Sequence, residues 1–216
     1  VRNNSLALAF IVACFACLLD VPFARAQSNV VRKTNYYAMT GASIRHIQQS
    51  LRQTRPWKDK SQHDASTEWR IQWHANFSPG GGECHCNNFG TTTTITITLP
   101  RWIAPTNAPA SVRAAWHRYV TALAQHEAGH ADIALAAAAE MHRRIPQIKS
   151  GDDCATLKSK VQSECTAILD AHRAQEKEYD QRTRHGATQG ATLRGRRPGG
   201  PDAEGTNSAS PNQRSQ

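Results

Sequence analysis

Residues 111–145 read SVRAAWHRYVTALAQHEAGHADIALAAAAEMHRRI. Apolar side chains recur there at helical spacing. Trp116, Val120, Leu123, Ala134, Ala137 and Met141 form one stripe, and Tyr119 and Ile133 widen it, so the period predicts one long amphipathic helix. Pro109 fits only in the first turn of this helix, and Pro146 stops it. The inward stripe is broken by three residues that do not belong on an apolar face: His126, Glu127 and His130.

These belong to His126-Glu127-Ala128-Gly129-His130, an H-E-x-x-H sequence. Spacing of i, i+4 puts the imidazoles about 6 Å apart along the axis and on one face, within reach of a single zinc ion. Glu127 projects between them, where it can take a proton from a water without being a ligand. For a chain of this composition a random match arises in roughly 2% of cases, and burying two histidines and a glutamate without a partner is costly. A catalytic zinc site needs a third protein ligand. Ile133 and Ala136 stand where the metzincin continuation has glycine and histidine, and Glu140 and His142 lie too far along the helix, so the ligand must come from elsewhere.

After the helix, Pro146 to Gly151 reads as a turn, and Asp152 or Asp153 caps a second long helix running to about Arg182. Leu157, Val161, Cys165, Ile168, His172 and Tyr179 form its inward stripe. A level antiparallel hairpin would bring Asp170 to His172 opposite the motif, which makes His172 a candidate ligand. Upstream, Val30–Met39 and Trp69–Phe77 read as strands, the second by strict alternation, and Thr91–Leu99 as a third. Between the first two, Thr40 or Ser43 caps a short helix carrying Ile44, Ile47 and Leu51. The expected fold class is α+β, a small, mainly antiparallel sheet packed on two long helices. The threonine-rich strand Thr91–Thr98 has two readings: an edge that cradles an extended substrate, or a half-buried strand with a solvated threonine face.

The chain has 216 residues, 39% hydrophobic and 20% charged, which suits one globular domain and excludes collagen and coiled coil. Its formal charge of +9 has no long Lys/Arg run and no nucleic-acid motif behind it, so a solvated basic surface is expected and no nucleic-acid partner. Arg2, the apolar run Leu6–Leu19 and Ala24-Arg25-Ala26 read as an export signal over residues 1–26, with no later transmembrane segment. A periplasmic or secreted location follows. Four cysteines remain beyond the signal: Cys84, Cys86, Cys154 and Cys165. An even number in an exported chain favours disulfides. Cys154 and Cys165 would lie about 16 Å apart on one helix, so they would pair across to Cys84 or Cys86 in a connectivity the spacing leaves open. Cys84-His85-Cys86 with the other two could instead form a second zinc site. Beyond Gly186 the composition turns polar and glycine-rich, so 187–216 reads as a disordered basic tail.

Together, the signal, the H-E-x-x-H helix, Cys154 after the turn, and Tyr179-Asp180-Gln181-Arg182-Thr183-Arg184-His185-Gly186 resemble the bacterial family of predicted secreted zinc-dependent proteases, the domain of unknown function 922. The resemblance implies a zincin-like metallopeptidase domain over 27–186 and makes His185, then Asp180, the third ligand ahead of His172. Asp180 would otherwise orient a ligating histidine. Tyr179 reads either as a donor to the developing oxyanion or as a core tyrosine with a satisfied hydroxyl.

The expected activity is zinc-dependent hydrolysis of a peptide or amide bond, with Glu127 as general base and a peptide or protein as substrate, cell-envelope peptides being one option. The rival reading is a non-catalytic envelope binding protein stabilised by zinc.

Overall fold

A computed structural model describes residues 27–57, 63–149 and 153–194. The segment expected to be an export signal, 1–26, and the residues beyond 194 lie outside the described residues. In chain order the elements are β1 (Gln27–Met39), α1 (Ile44–Thr54), β2 (Ser66–Gly80), β3 (Glu83–Trp102), α2 (Ala110–Arg144) and α3 (Cys154–Thr183). Short 3₁₀ turns follow α2 at Ile145–Gln147 and α3 at Ala187–Gln189. The helix starts follow local chemistry: Ser43 Oγ accepts from the His46 amide, Asp153 Oδ1 accepts from the Thr156 amide, and Pro109 precedes α2.

The fold is α+β, as expected, but the sheet is mixed. Strand order is β1-β3-β2, with β2 antiparallel and β1 parallel to β3. The β2–β3 hairpin lays β3 in the middle, so β1 meets β3 and not its neighbour in sequence. The Thr91–Leu99 strand is only the middle of β3. With both its edges paired, it cannot be the substrate-binding edge. One face of the sheet, with Ile71, Thr93, Ile95 and Leu99, is buried, and Glu68, Arg70 and Gln72 point to water on the other.

Ala137, Met141, Leu157, Val161, Cys165 and Ile168 join α2 to α3 in one core, and Met39, Ile47, Leu51, Val112 and Tyr119 hold α1 and β1 to the start of α2 in another. Helices α2 and α3 are antiparallel but not level. Arg144, the last residue of α2, pairs with Glu164 and not with the first turn of α3. Relative to a level hairpin, α3 is displaced by about ten residues, or ~15 Å. That displacement moves His172 away from the motif and brings Asp180 to it.

Cys84 and Cys154 form a disulfide that ties the start of α3 to β3, while Cys86 and Cys165 are free thiols. Of the four candidates only one pair is bridged. Cys86 packs against the core cluster that contains Cys165, and burial pushes both thiols up from their ordinary pKa. With Cys84 and Cys154 joined, a zinc site on these cysteines is ruled out. Residues 187–194, expected to open the tail, instead return along α2, with Leu193 buried and its carbonyl accepting from Gln48 Nε2 at 2.8 Å. Among the described residues no helix is long and apolar enough to cross a membrane.

Candidate metal centre

His126, Glu127 and His130 are all buried on the inner face of α2. The two Nε2 atoms face each other at 3.3 Å, and Asp180 Oδ1 from α3 lies 3.1 Å from the first and 3.2 Å from the second. Three donor atoms thus form a nearly equilateral triangle. Ligands held 2.0–2.1 Å from a tetrahedral zinc stand about 3.3 Å apart, so the donor set and its spacing both fit the metal.

The far side of each imidazole is held by an acceptor. His126 Nδ1 meets Gln189 Oε1 at 3.0 Å, and His130 Nδ1 faces Glu176 Oε1 at 3.4 Å. Trp69 Nε1 donates to the same Glu176 oxygen at 2.6 Å and fixes it. Acceptors at both Nδ1 atoms place the ring protons there and leave the Nε2 lone pairs turned towards each other, an arrangement that calls for a cation between them. The neighbouring carboxylates favour a positive charge at the same point, whether a cation or a proton on His130. Burial alone would lower the His130 pKa, but hydrogen bonds to Asp180 and Glu176 prevail and raise it to about 9. Burial likewise works to raise Asp180, yet its bonds to His126 and His130 hold it well below the usual carboxylate range.

Glu127 Oε2 accepts from the Thr67 hydroxyl at 2.7 Å, at the start of β2. Burial pushes its carboxyl above the ordinary range against the opposing pull of Thr67 and the imidazoles, which suits a group that must gain and lose a proton. Ser66, Thr67, Glu127, Lys177, Asp180 and His185 line a cleft of about 500 Å³ above the triangle. The strand that reaches the centre is therefore β2, not β3.

The second motif is accounted for residue by residue. The Tyr179 ring stacks on His126 at 12° with centroids 5.0 Å apart. Its hydroxyl donates to the His126 carbonyl at 3.3 Å and accepts from Gln189 Nε2 at 3.1 Å. Both partners of the Tyr179 hydroxyl thus lie at the back of His126, on α2 and on the segment that follows α3. Thr183 Oγ1 donates to the Tyr179 carbonyl at 2.7 Å and closes the last turn of α3. Arg184, His185 and Gly186 then turn left-handed in succession, with φ of 50, 51 and 80°. A β-carbon on Gly186 would sit 3.0 Å from the His126 side chain, so glycine is what lets the chain pass.

His185, expected as the third ligand, places Nδ1 3.2 Å from Asp180 Oδ1 with its side chain 60% exposed. The group whose donor atoms all lie within 4.8 Å of one another is His126, His130 and Asp180. His172 is elsewhere: its Nε2 pairs with Glu140 Oε2 at 2.9 Å. Three residues escaped sequence reading: Thr67, Glu176 and Gln189. Glu176 carried a usable signal, since it sits one turn before Asp180 on the same face.

Two imidazoles and a carboxylate, converging from antiparallel helices beside a buried glutamate, define an α+β protein organised around a candidate metal centre. The chain belongs to the family described as bacterial protein of unknown function (DUF922), whose model matches residues 34–186. No curated protein and no solved structure matches it.

Proposed function

We propose that this protein is an exported zinc-dependent metallopeptidase that hydrolyses a peptide or amide bond, with peptides of the cell envelope as the substrate class. The observation that carries the reading is the pair of buried Nε2 atoms 3.3 Å apart, each with its Nδ1 turned to an acceptor and both flanked by Asp180. His126, His130 and Asp180 would hold the ion, a donor set of the kind that leaves a fourth position open in catalytic zinc sites. Zinc there supplies Lewis acidity, which lowers the pKa of water and polarises the scissile carbonyl.

The chain's own residues do the rest. Thr67 fixes one oxygen of Glu127, so the other is free to take the proton of the attacking water and return it to the leaving amine. His185 stands at the rim, beside Asp180. That position also supports a second reading. If His185 joins the three donors, the site is closed by four protein ligands, and the zinc is structural in a binding protein.

Elemental mass spectrometry of the purified mature chain, with no added metal and no metal-binding tag, tests the reading. The expected result is about one zinc per chain, lost in Asp180→Asn and kept in His185→Ala. No zinc bound, and none taken up on addition, would overturn both readings. Zinc retained in Glu127→Gln with hydrolysis of envelope peptides abolished separates the peptidase from the structural site.

A further inference from the structure

The first half of α2 and the returning segment 189–194 enclose a groove of about 840 Å³, separate from the metal-centre cleft. Arg118 from α2 and Arg194 from the returning segment both line it, both exposed, and no acidic residue lines the space. Among the described residues neither arginine makes an ion pair or hydrogen bond. Two guanidinium groups left without such partners in one groove favour an anionic occupant, and their planar donor forks match carboxylates.

The shape narrows the class. Along α2 the lining runs from Ser111 to Gln125, about 21 Å at 1.5 Å per residue. That accommodates about six residues of extended peptide. Ala114, Ala115, Ala122 and Gly190 keep side chains short where a main chain would lie, while Thr121 and Thr192 offer hydroxyls to peptide groups. No Phe, Tyr or Trp lines the groove and His117 supplies its one ring, which falls short of the row of aromatic platforms on which single-stranded nucleic acids stack.

We propose that this groove binds an extended acidic peptide segment. Gln189 lies on its wall, and the same amide holds His126 Nδ1 and the Tyr179 hydroxyl. A bound segment would therefore lie against the residue that orients the first histidine of the metal centre. Binding itself does not depend on the metal reading, and its test needs no activity.

The test is fluorescence anisotropy of the full mature chain with labelled hexaglutamate, hexaglutamine and oligothymidylate at near-physiological salt. Hexaglutamate is expected to bind at least tenfold more tightly than hexaglutamine. Replacing both arginines, Arg118→Glu with Arg194→Glu, is expected to weaken it by about tenfold or more, and the paired lysine replacements to recover part of the affinity. Lys33→Glu with Lys158→Glu, an equal charge change on exposed positions elsewhere, should leave affinity unchanged. Equal binding of the two hexapeptides, equal weakening by the lysine pair, or tighter oligothymidylate binding through the same arginines would each overturn the proposal. Unchanged far-ultraviolet circular dichroism in each variant keeps folding out of the comparison.

Discussion

The Tyr179 hydroxyl lies only 2.2 Å from where a β-carbon on residue 129 would stand, so the phenol of α3 rests directly on the backbone of α2 at Gly129. The variable positions of H-E-x-x-H are thus not free: one must be glycine for the two motifs to meet. Tyr179 is pinned by its stack on His126 and its bond from Gln189, and has little room to give.

Gly129→Ala is accordingly expected to destabilise the fold by about 1–3 kcal/mol through overpacking. Adding Tyr179→Phe, which removes the closest atom, should recover part of the loss. Urea unfolding of the two variants measures both effects, and an alanine variant as stable as the parent would contradict the close approach.

Removing the acceptors behind the histidines should loosen the metal without unfolding the protein. Glu176→Ala and Gln189→Ala are each expected to weaken zinc binding by about 10–100-fold. Competition against a chromophoric chelator reads this directly. Unaltered affinity in both variants would mean that the ring orientations are fixed by packing alone.

The Cys84–Cys154 bridge closes a loop with a sequence separation of 70. In the chain-entropy account it stabilises the fold by about 4 kcal/mol. Cys84→Ser together with Cys154→Ser should show a loss of that order in denaturant unfolding, and reductant should destabilise the parent but not the variant. A loss under about 1 kcal/mol would show that the unfolded chain is already compact around these residues.

His142 supplies a pH dependence away from the metal centre. Burial lowers its pKa from the ordinary 6.5, and its Nε2 lies 2.9 Å from the Thr91 hydroxyl. Below about 6.5 the unfolded chain takes up a proton that the folded chain resists, so this group costs nothing at higher pH and reduces stability as pH falls from there to the folded value. Replacing it by glutamine should flatten the fall in unfolding free energy between about pH 7 and pH 5. An identical slope in the variant would remove His142 from the account.

The helical period of α2, its bracketing prolines, the Asp153 cap and the alternation of β2 were legible because each is written locally, in spacing and end residues. His126, Glu127 and His130 were legible for the same reason: they break an apolar stripe. What escaped was set by distances between elements. The ~15 Å displacement of α3 decides that Asp180 and not His172 meets the motif, and no local spacing in either helix encodes it. Likewise β1 pairs in parallel because β3 folds between it and β2, a choice made by the whole sheet. Gln189 was missed because its neighbourhood has the composition of a tail, although a few buried atoms around Leu193 suffice to order it.

The return of residues 187–194 along α2 moves the working boundary of the domain. The family match stops at Gly186, and a chain trimmed there would keep every residue of both motifs. It would nevertheless lose the amide behind His126, the buried Leu193 side chain and the clasp between α1 and the C-terminal return. A truncated product that folds but binds its ion poorly would then report a missing fastening and not a missing ligand.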